Sequence, residues 1–117
     1  MVRAQQQNYI PAQGDLVWLE FDPQAGHEQA ERRPAIIISP KEYNKKTGLA
    51  LVCPITSKIK NYPFEVLLPN SHAITGAILS DQIKNLDWKI RKATYVTKAN
   101  EEVMQEVIAK IYAIISL

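Results

Sequence analysis

His27, Glu28 and Gln29 stand just ahead of Arg33-Pro34, so an imidazole, a carboxylate, an amide and a guanidinium fall within seven positions. Pro23 and Gly26 mark the first three as part of an exposed loop. Breaking a phosphodiester without a metal needs a group to take the nucleophile's proton and another to protonate the leaving oxygen. It also needs positive charge on the crowded phosphorane. Arg33 offers that charge in a rigid fork matching two phosphate oxygens, and Pro34 restricts its backbone. Neutral imidazole at His27 can act as a base near pH 7. Thr56, in Pro54-Ile55-Thr56-Ser57, ends an apolar run with a hydroxyl able to donate to a phosphate oxygen. Without further context, Arg33 also suits a surface ion pair with Glu31, Thr56 an ordinary strand end, and His27 an idle loop position.

Short strands must position these groups. Residues 15–21 mix aromatic and aliphatic side chains after Gly14, and 35–39 form a continuous apolar run expected as a central strand covered on both faces. Residues 40–47 suit a helical turn stopped by Gly48. Strands are expected at 49–53, 64–68, 77–83 and 93–97, the second limited by Pro63 and Pro69. Such spacing indicates a small sandwich or barrel. The period then changes. Asn100 is a good N-cap, Glu101-Glu102 place negative charge in the first turn, and Val103, Val107, Ile108, Ile111, Ile114 and Ile115 recur at helical spacing. One amphipathic helix packed on the strands is expected to close the chain.

With 117 residues, 46% of them hydrophobic, one domain with one core is expected over 9–117. Residues 1–8, polar with three consecutive glutamines, are expected to be a disordered extension. Cys53 is the single cysteine and lies in an apolar run, which fits a reduced core thiol. No signal peptide or run of about 20 apolar residues is present, so a cytoplasmic protein without a membrane anchor is expected. The net charge of +2 hides an asymmetry: −4 over residues 1–31, +8 over 32–98 and −2 over 99–117. A basic middle fits a polyanion face. Lys84, Lys89, Arg91 and Lys92 around Trp88 suit a single strand, whose phosphates need charge and whose bases stack. No zinc-like spacing of His and Cys occurs, and the four glycines are too dispersed to cradle a phosphate, so no metal or cofactor is expected.

Gly14-Asp15, the Gly26-His27-Glu28-Gln29 loop with Arg33-Pro34, Pro54-Ile55-Thr56-Ser57 and Gly76-Ala77-Ile78-Leu79-Ser80-Asp81-Gln82 follow the order and spacing of the MazF/PemK family. From about Tyr9 onward the chain resembles that family, and Asn61-Tyr62-Pro63-Phe64-Glu65-Val66 is similar to its MazF branch. The resemblance implies a PemK/MazF-like, SH3-related β-barrel with a C-terminal helix, assembled as a homodimer. It implies a toxin of a type II toxin–antitoxin pair that cleaves single-stranded RNA, mRNA included, in a sequence-specific way. It further implies that neither metal nor cofactor takes part and that the ends would be 2′,3′-cyclic phosphate and 5′-hydroxyl. A short triplet such as ACA would be the cut site, and loss of translation and growth the result. The implied partners are RNA and a MazE/PemI-like antitoxin with an acidic, disordered tail, with operator DNA reached only through the antitoxin. Arg33 and Thr56 would be catalytic, and His27, Glu28 and Asp81 catalytic or substrate-orienting. Gln29, Ser57, Lys58, Lys60, Gln82 and Lys84 would contact RNA. The PemK/Kid branch uses an arginine two residues before the aspartate; Leu79 stands there in this chain, which favours the pair Arg33 and Thr56. The competing expectation is a CcdB-like toxin that binds DNA gyrase without catalysis, although this chain lacks the terminal Trp-Gly-Ile of that group.

Overall fold

The structure, a computed structural model, describes residues 8–21, 32–69 and 73–116. Among them the chain runs β1 (Asp15–Glu20), β2 (Arg32–Ile37), α1 (Lys41–Thr47), β3 (Leu49–Thr56), β4 (Glu65–Leu67), β5 (Ala77–Leu79), β6 (Lys84–Asp87), β7 (Thr94–Lys98) and α2 (Glu101–Ile115). A 3-10 turn, Ser80–Gln82, separates β5 from β6. The expected N-terminal extension lies, apart from Asn8, outside the described residues.

The longest strand, β3, organises the sheet. On one edge it pairs antiparallel with β2, Ala35 opposite Pro54 and Ile37 opposite Val52. On the other edge its first half pairs with β6, and its last two residues, Ile55 and Thr56, pair with Ile78 and Ala77 of β5. Pro54 sits at this change of partner, where a missing backbone donor is tolerated. The full path is β4-β5-β3-β2-β1-β7, with β6 beside β3.

The fold is mainly β with a C-terminal helix, as expected, and the strands pair antiparallel, but the sheet does not close into a barrel: β4 and β7 end the path unpaired with each other. Helix α2 packs on β4 and on the 3-10 turn, covering apolar surface that closing strands would otherwise cover. Its inner face buries Val103, Met104 and Val107, each worth roughly 1.5–3 kcal/mol. A helix of 15 residues is marginal on its own, so this packing holds it. Asn100 caps it as expected, its side chain accepting the Val103 N–H at 2.8 Å. The expected apolar stripe is only half used. Ile108, Ile114 and Ile115 are exposed, whereas Ile111 still packs against the core.

Both faces of β1, β2 and β3 are covered, which explains their near-continuous apolar character. Leu16, Ile36, Cys53 and Ile55 join the helix cluster, while Val17, Leu19, Ala35, Ile37 and Val52 pack with Trp88 on the other face. Several strand limits move from the sequence expectation. Strand β2 begins at Arg32, because pairing with β1 reaches Glu20 opposite Arg32. The run expected at 77–83 stops at Leu79 and turns. The strand β6, unexpected from its polar sequence, exists through its ladder to β3. Helix α1 ends at Gly48, whose left-handed φ of 73° and N–H bond to the Asn44 carbonyl form the C-cap. Asn44 itself is fully buried. Its amide donates to the carbonyls of Pro11 and Ser39, and its own carbonyl accepts the Trp88 indole N–H at 2.9 Å.

Candidate active site

Arg32 and Arg33 are adjacent in a strand, so their side chains leave on opposite faces. The Arg32 guanidinium donates to the carbonyls of Trp18 and Lys92 and to the Thr94 hydroxyl, and approaches the Glu20 carboxylate at 3.8 Å. It ties β2 to β1 and β7. The Arg33 side chain has no hydrogen bond or ion pair among the described residues. Its guanidinium carbon lies 5.5 Å from the centre of the Phe21 ring, and the Lys84 ammonium lies 5.9 Å from the same centre. A cation–π contact of this kind orients a guanidinium without consuming its N–H donors. Glu31, the partner in the alternative reading of Arg33 as a surface ion pair, lies outside the described residues.

Arg33 and Thr56 line one cleft of about 630 Å³ with Trp18, Pro34, Ser57 and Lys58. The Thr56 hydroxyl accepts the Lys58 N–H at 3.1 Å, which leaves its own proton to donate outward. Thr56 and Lys58 also line a second cleft, of about 300 Å³, completed by Lys60, Tyr62, Glu65, Leu79, Asp81 and Gln82. Thr56 is thus the wall shared by two hollows. The structure brings together Arg33, Thr56, Ser57 and Lys58 in the first, and Thr56, Lys58, Lys60, Asp81 and Gln82 in the second. Lys84 joins the group through Phe21. His27, Glu28 and Gln29 lie outside the described residues.

Trp88 corrects one expectation. It is 9% exposed, packed in the core with its indole N–H committed to Asn44, so it offers no stacking face to a nucleic acid. Its neighbour Arg91 is likewise structural, donating to the carbonyls of Glu20 and Phe21. Among the described residues, the partly buried Phe21 gathers Arg33 and the exposed Lys84 into a basic-aromatic cluster.

Gly76 was noticed only as the start of a motif, and its backbone role was not read from the sequence. Its φ is +124°, and a Cβ there would lie 2.2 Å from the Thr56 carbonyl oxygen and 3.0 Å from its carbon. The backbone of Thr56 is therefore set against a position that only glycine can fill. Tyr62 was noticed only within a motif; here its hydroxyl donates to the Asp81 carboxylate at 2.6 Å. Gly14-Asp15 is structural rather than functional. Asp15 is buried and accepts from Tyr9 and from the Ala12 N–H, with the Lys98 ammonium at 3.0 Å. Burial and then that carboxylate push the Tyr9 phenol far above its ordinary range.

A cleft lined by a guanidinium without a hydrogen-bond partner among the described residues, a donor-ready hydroxyl and amines suits a crowded phosphate. Among the described residues no three His, Cys, Asp or Glu side chains gather where a metal could sit, and no helix is long and apolar enough to cross a membrane.

Comparison with known proteins gives a consistent result. Residues 12–115 match the family described as PemK-like, MazF-like toxin of type II toxin–antitoxin system. The chain is 45% identical over 107 residues to the endoribonuclease toxin MazF of Escherichia coli K12, covering 92% of this chain and 96% of that one. The crystal structure of MazF from Deinococcus radiodurans superposes with a TM-score of 0.86 at 46% identity, covering 94% of this chain and all of that one. MazF in a MazE–MazF crystal structure from the same organism superposes with a TM-score of 0.88, also at 46% identity, covering 94% and 99%. This chain belongs to the PemK-like, MazF-like family of toxins of type II toxin–antitoxin systems.

Proposed function

We propose that this protein is the endoribonuclease toxin of a toxin–antitoxin pair, cutting single-stranded RNA, mRNA included, by internal attack of a 2′-hydroxyl. The observation that carries the reading is the convergence of Arg33 and Thr56 on one cleft. The catalytic name borne by E. coli MazF supports it. The gyrase-binding alternative is not favoured, since relatives matched over most of the chain carry the name endoribonuclease.

In this mechanism the 2′-oxygen attacks phosphorus and the bond to the 5′-oxygen breaks. A 2′,3′-cyclic phosphate and a free 5′-hydroxyl result. The proton lost by the 2′-hydroxyl passes to a base, and an acid returns one to the leaving oxygen. Arg33 spans two oxygens of the phosphorane and Thr56 donates to one of them, both strengthening as charge develops. His27 and Glu28, in the segment joining β1 to β2, are the candidates for proton transfer, with Gln29 beside them for binding. Ser57, Lys58, Lys60, Gln82 and Lys84 hold the phosphates and bases on either side. All of these groups belong to the chain, and the cycle uses no metal.

The +8 charge of residues 32–98 also fits the acidic tail of a MazE-like antitoxin, whose counterpart accompanies MazF in the D. radiodurans complex. The exposed residues Ile108, Tyr112 and Ile115 form one stripe of α2 and supply apolar surface for a homodimer. Action on mRNA places the protein in the cytoplasm.

Purified protein incubated in EDTA with a defined RNA containing ACA should leave 2′,3′-cyclic phosphate and 5′-hydroxyl ends. A 2′-deoxy nucleotide before the cut should abolish cleavage and leave binding nearly intact. Cleavage of the deoxy substrate at a normal rate would rule out the mechanism.

A further inference from the structure

The hollow on the far side of Thr56 from Arg33 is built around Tyr62. Tyr62 is 45% exposed, yet its ring is held from several directions. The Phe64 ring backs it at 5.8 Å, tilted by 60°. Its hydroxyl donates to Asp81 on the 3-10 turn at 2.6 Å. The segment carrying it is pinned as well. The Glu65 carboxylate accepts the Lys60 N–H at 3.1 and 3.2 Å, with the Tyr62 N–H at 3.4 Å. Asn61, one residue before, takes a left-handed φ of 58°, a conformation that asparagine tolerates. Two carboxylates from two different elements thus hold a half-exposed aromatic ring in place.

An immobilised, exposed ring beside lysines and a phosphate-binding hydroxyl has a specific use in single-strand recognition. Unstacked bases lie on aromatic faces while nearby cations hold the backbone. Thr56, Lys58 and Lys60 line the same hollow as Tyr62. The bond to Asp81, then burial and then the carboxylate's charge, raise the Tyr62 phenol above its ordinary value, so the proton stays on the tyrosine at neutral pH. With that proton donated to it, Asp81 is engaged as an acceptor.

Resting on the endoribonuclease reading, we propose that Tyr62 is the platform on which an RNA base next to the scissile phosphate stacks. Asp81 is then a positioning residue that holds the platform, and it does not act as the catalytic base. The two residues work as one unit: Asp81 aims the ring, and the ring meets the base.

The test uses the full chain and an RNA oligonucleotide carrying 2-aminopurine in turn at each position flanking the cut. Steady-state kcat and KM and the fluorescence quench are read together, with the thermal midpoint of each variant recorded. Tyr62→Leu should raise KM about tenfold or more, the scale of one lost base stack. It should leave kcat within about threefold and remove the quench at one position. Tyr62→Phe and Asp81→Ala should each raise KM by a smaller factor and keep most of the quench. Combined, they should do no more than either alone, as expected for two halves of one contact. An unchanged KM and quench in Tyr62→Leu would overturn the platform. A loss of kcat of about 100-fold or more in Asp81→Ala at unchanged KM would overturn the positioning role and make Asp81 a base. Failure of the unaltered protein to cut any RNA would instead overturn the reading beneath both.

Discussion

Arg33 on β2 and Thr56 on β3 stand two residues beyond Ala35 and Pro54, the last pair of an antiparallel ladder, and line the same cleft. Extending that register sets them across from each other at one end of the sheet. Neither side chain is placed by its own loop. Each is delivered by a strand whose inner residues are fully buried, so their spacing is as rigid as the core. Such preorganisation lets a guanidinium and a hydroxyl meet a developing charge without rearranging.

The two adjacent arginines should separate cleanly. Arg33→Ala should lower the single-turnover rate by at least about 100-fold, and Arg33→Lys should recover little, because an ammonium cannot reproduce the fork. Arg32→Ala should leave the rate within about tenfold and instead destabilise the fold by about 1 kcal/mol or somewhat more, through lost hydrogen bonds to Trp18, Lys92 and Thr94. Single-turnover cleavage and urea denaturation measure the two effects. Equal rate losses at both positions would reduce the cleft to general positive charge.

Thr56 depends on a residue that makes no chemical contribution. Thr56→Val should slow cleavage about 100-fold, while Thr56→Ser should retain most activity, since the hydroxyl carries the effect. Gly76→Ala forces a Cβ against the Thr56 carbonyl, so it should lower stability by about 2 kcal/mol. It should also slow cleavage by up to about 100-fold at temperatures where circular dichroism still reports the folded state. Full activity in folded Gly76→Ala would show that the Thr56 backbone need not be where it is.

RNA and an acidic antitoxin tail should compete for the same lysines. Charge reversal at Lys58, Lys60 or Lys84 should weaken both ligands together, whereas reversal at Glu101 or Glu102, in the first turn of α2, should weaken neither. Affinity for RNA should fall with salt at a slope of about −0.7 per phosphate contacted. Fluorescence anisotropy with labelled RNA measures all three effects. A stable ternary complex with undiminished RNA affinity would mean separate sites.

Alkali should expose the buried thiol. Burial, with the Asp81 carboxylate adding to it, pushes Cys53 from an ordinary 9.0 up to about 12. Between those values the unfolded chain has lost a proton that the folded chain keeps. Stability is therefore complete below about pH 9 and falls as pH rises towards about 12, by up to about 1.4 kcal/mol per pH unit from this group. Tyr9, also raised, contributes with the same sign above about pH 10. Urea midpoints for the unaltered protein and for Cys53→Ala should converge as pH climbs from 7 to 10.5. Parallel lines would place the thiol in water.

Features that depend on neighbours in sequence were legible in the chain. The helical spacing and Asn100 cap of α2, and the Gly48 stop of α1, arise from backbone bonds spanning three or four residues, so the residue pattern carries them. The apolar run of β2 likewise announces burial on two faces, whereas β1 and β3 were legible only as strands. What tertiary structure decided is everything set by a partner far along the chain. Strand β6 reads as Lys84-Asn85-Leu86-Asp87, polar enough to pass for a loop, and becomes a strand only because β3 offers it a ladder. Trp88 looks like a stacking residue among cations until the Asn44 carbonyl, 44 positions away, takes its indole N–H. Arg32 and Arg33 have the same charge and the same chain neighbourhood. Strand alternation sends one guanidinium to the carbonyls of Trp18 and Lys92 and the other to the ring of Phe21. Composition records which groups a chain owns, whereas register and burial, fixed by contacts between distant strands, determine which of those groups remain free to react.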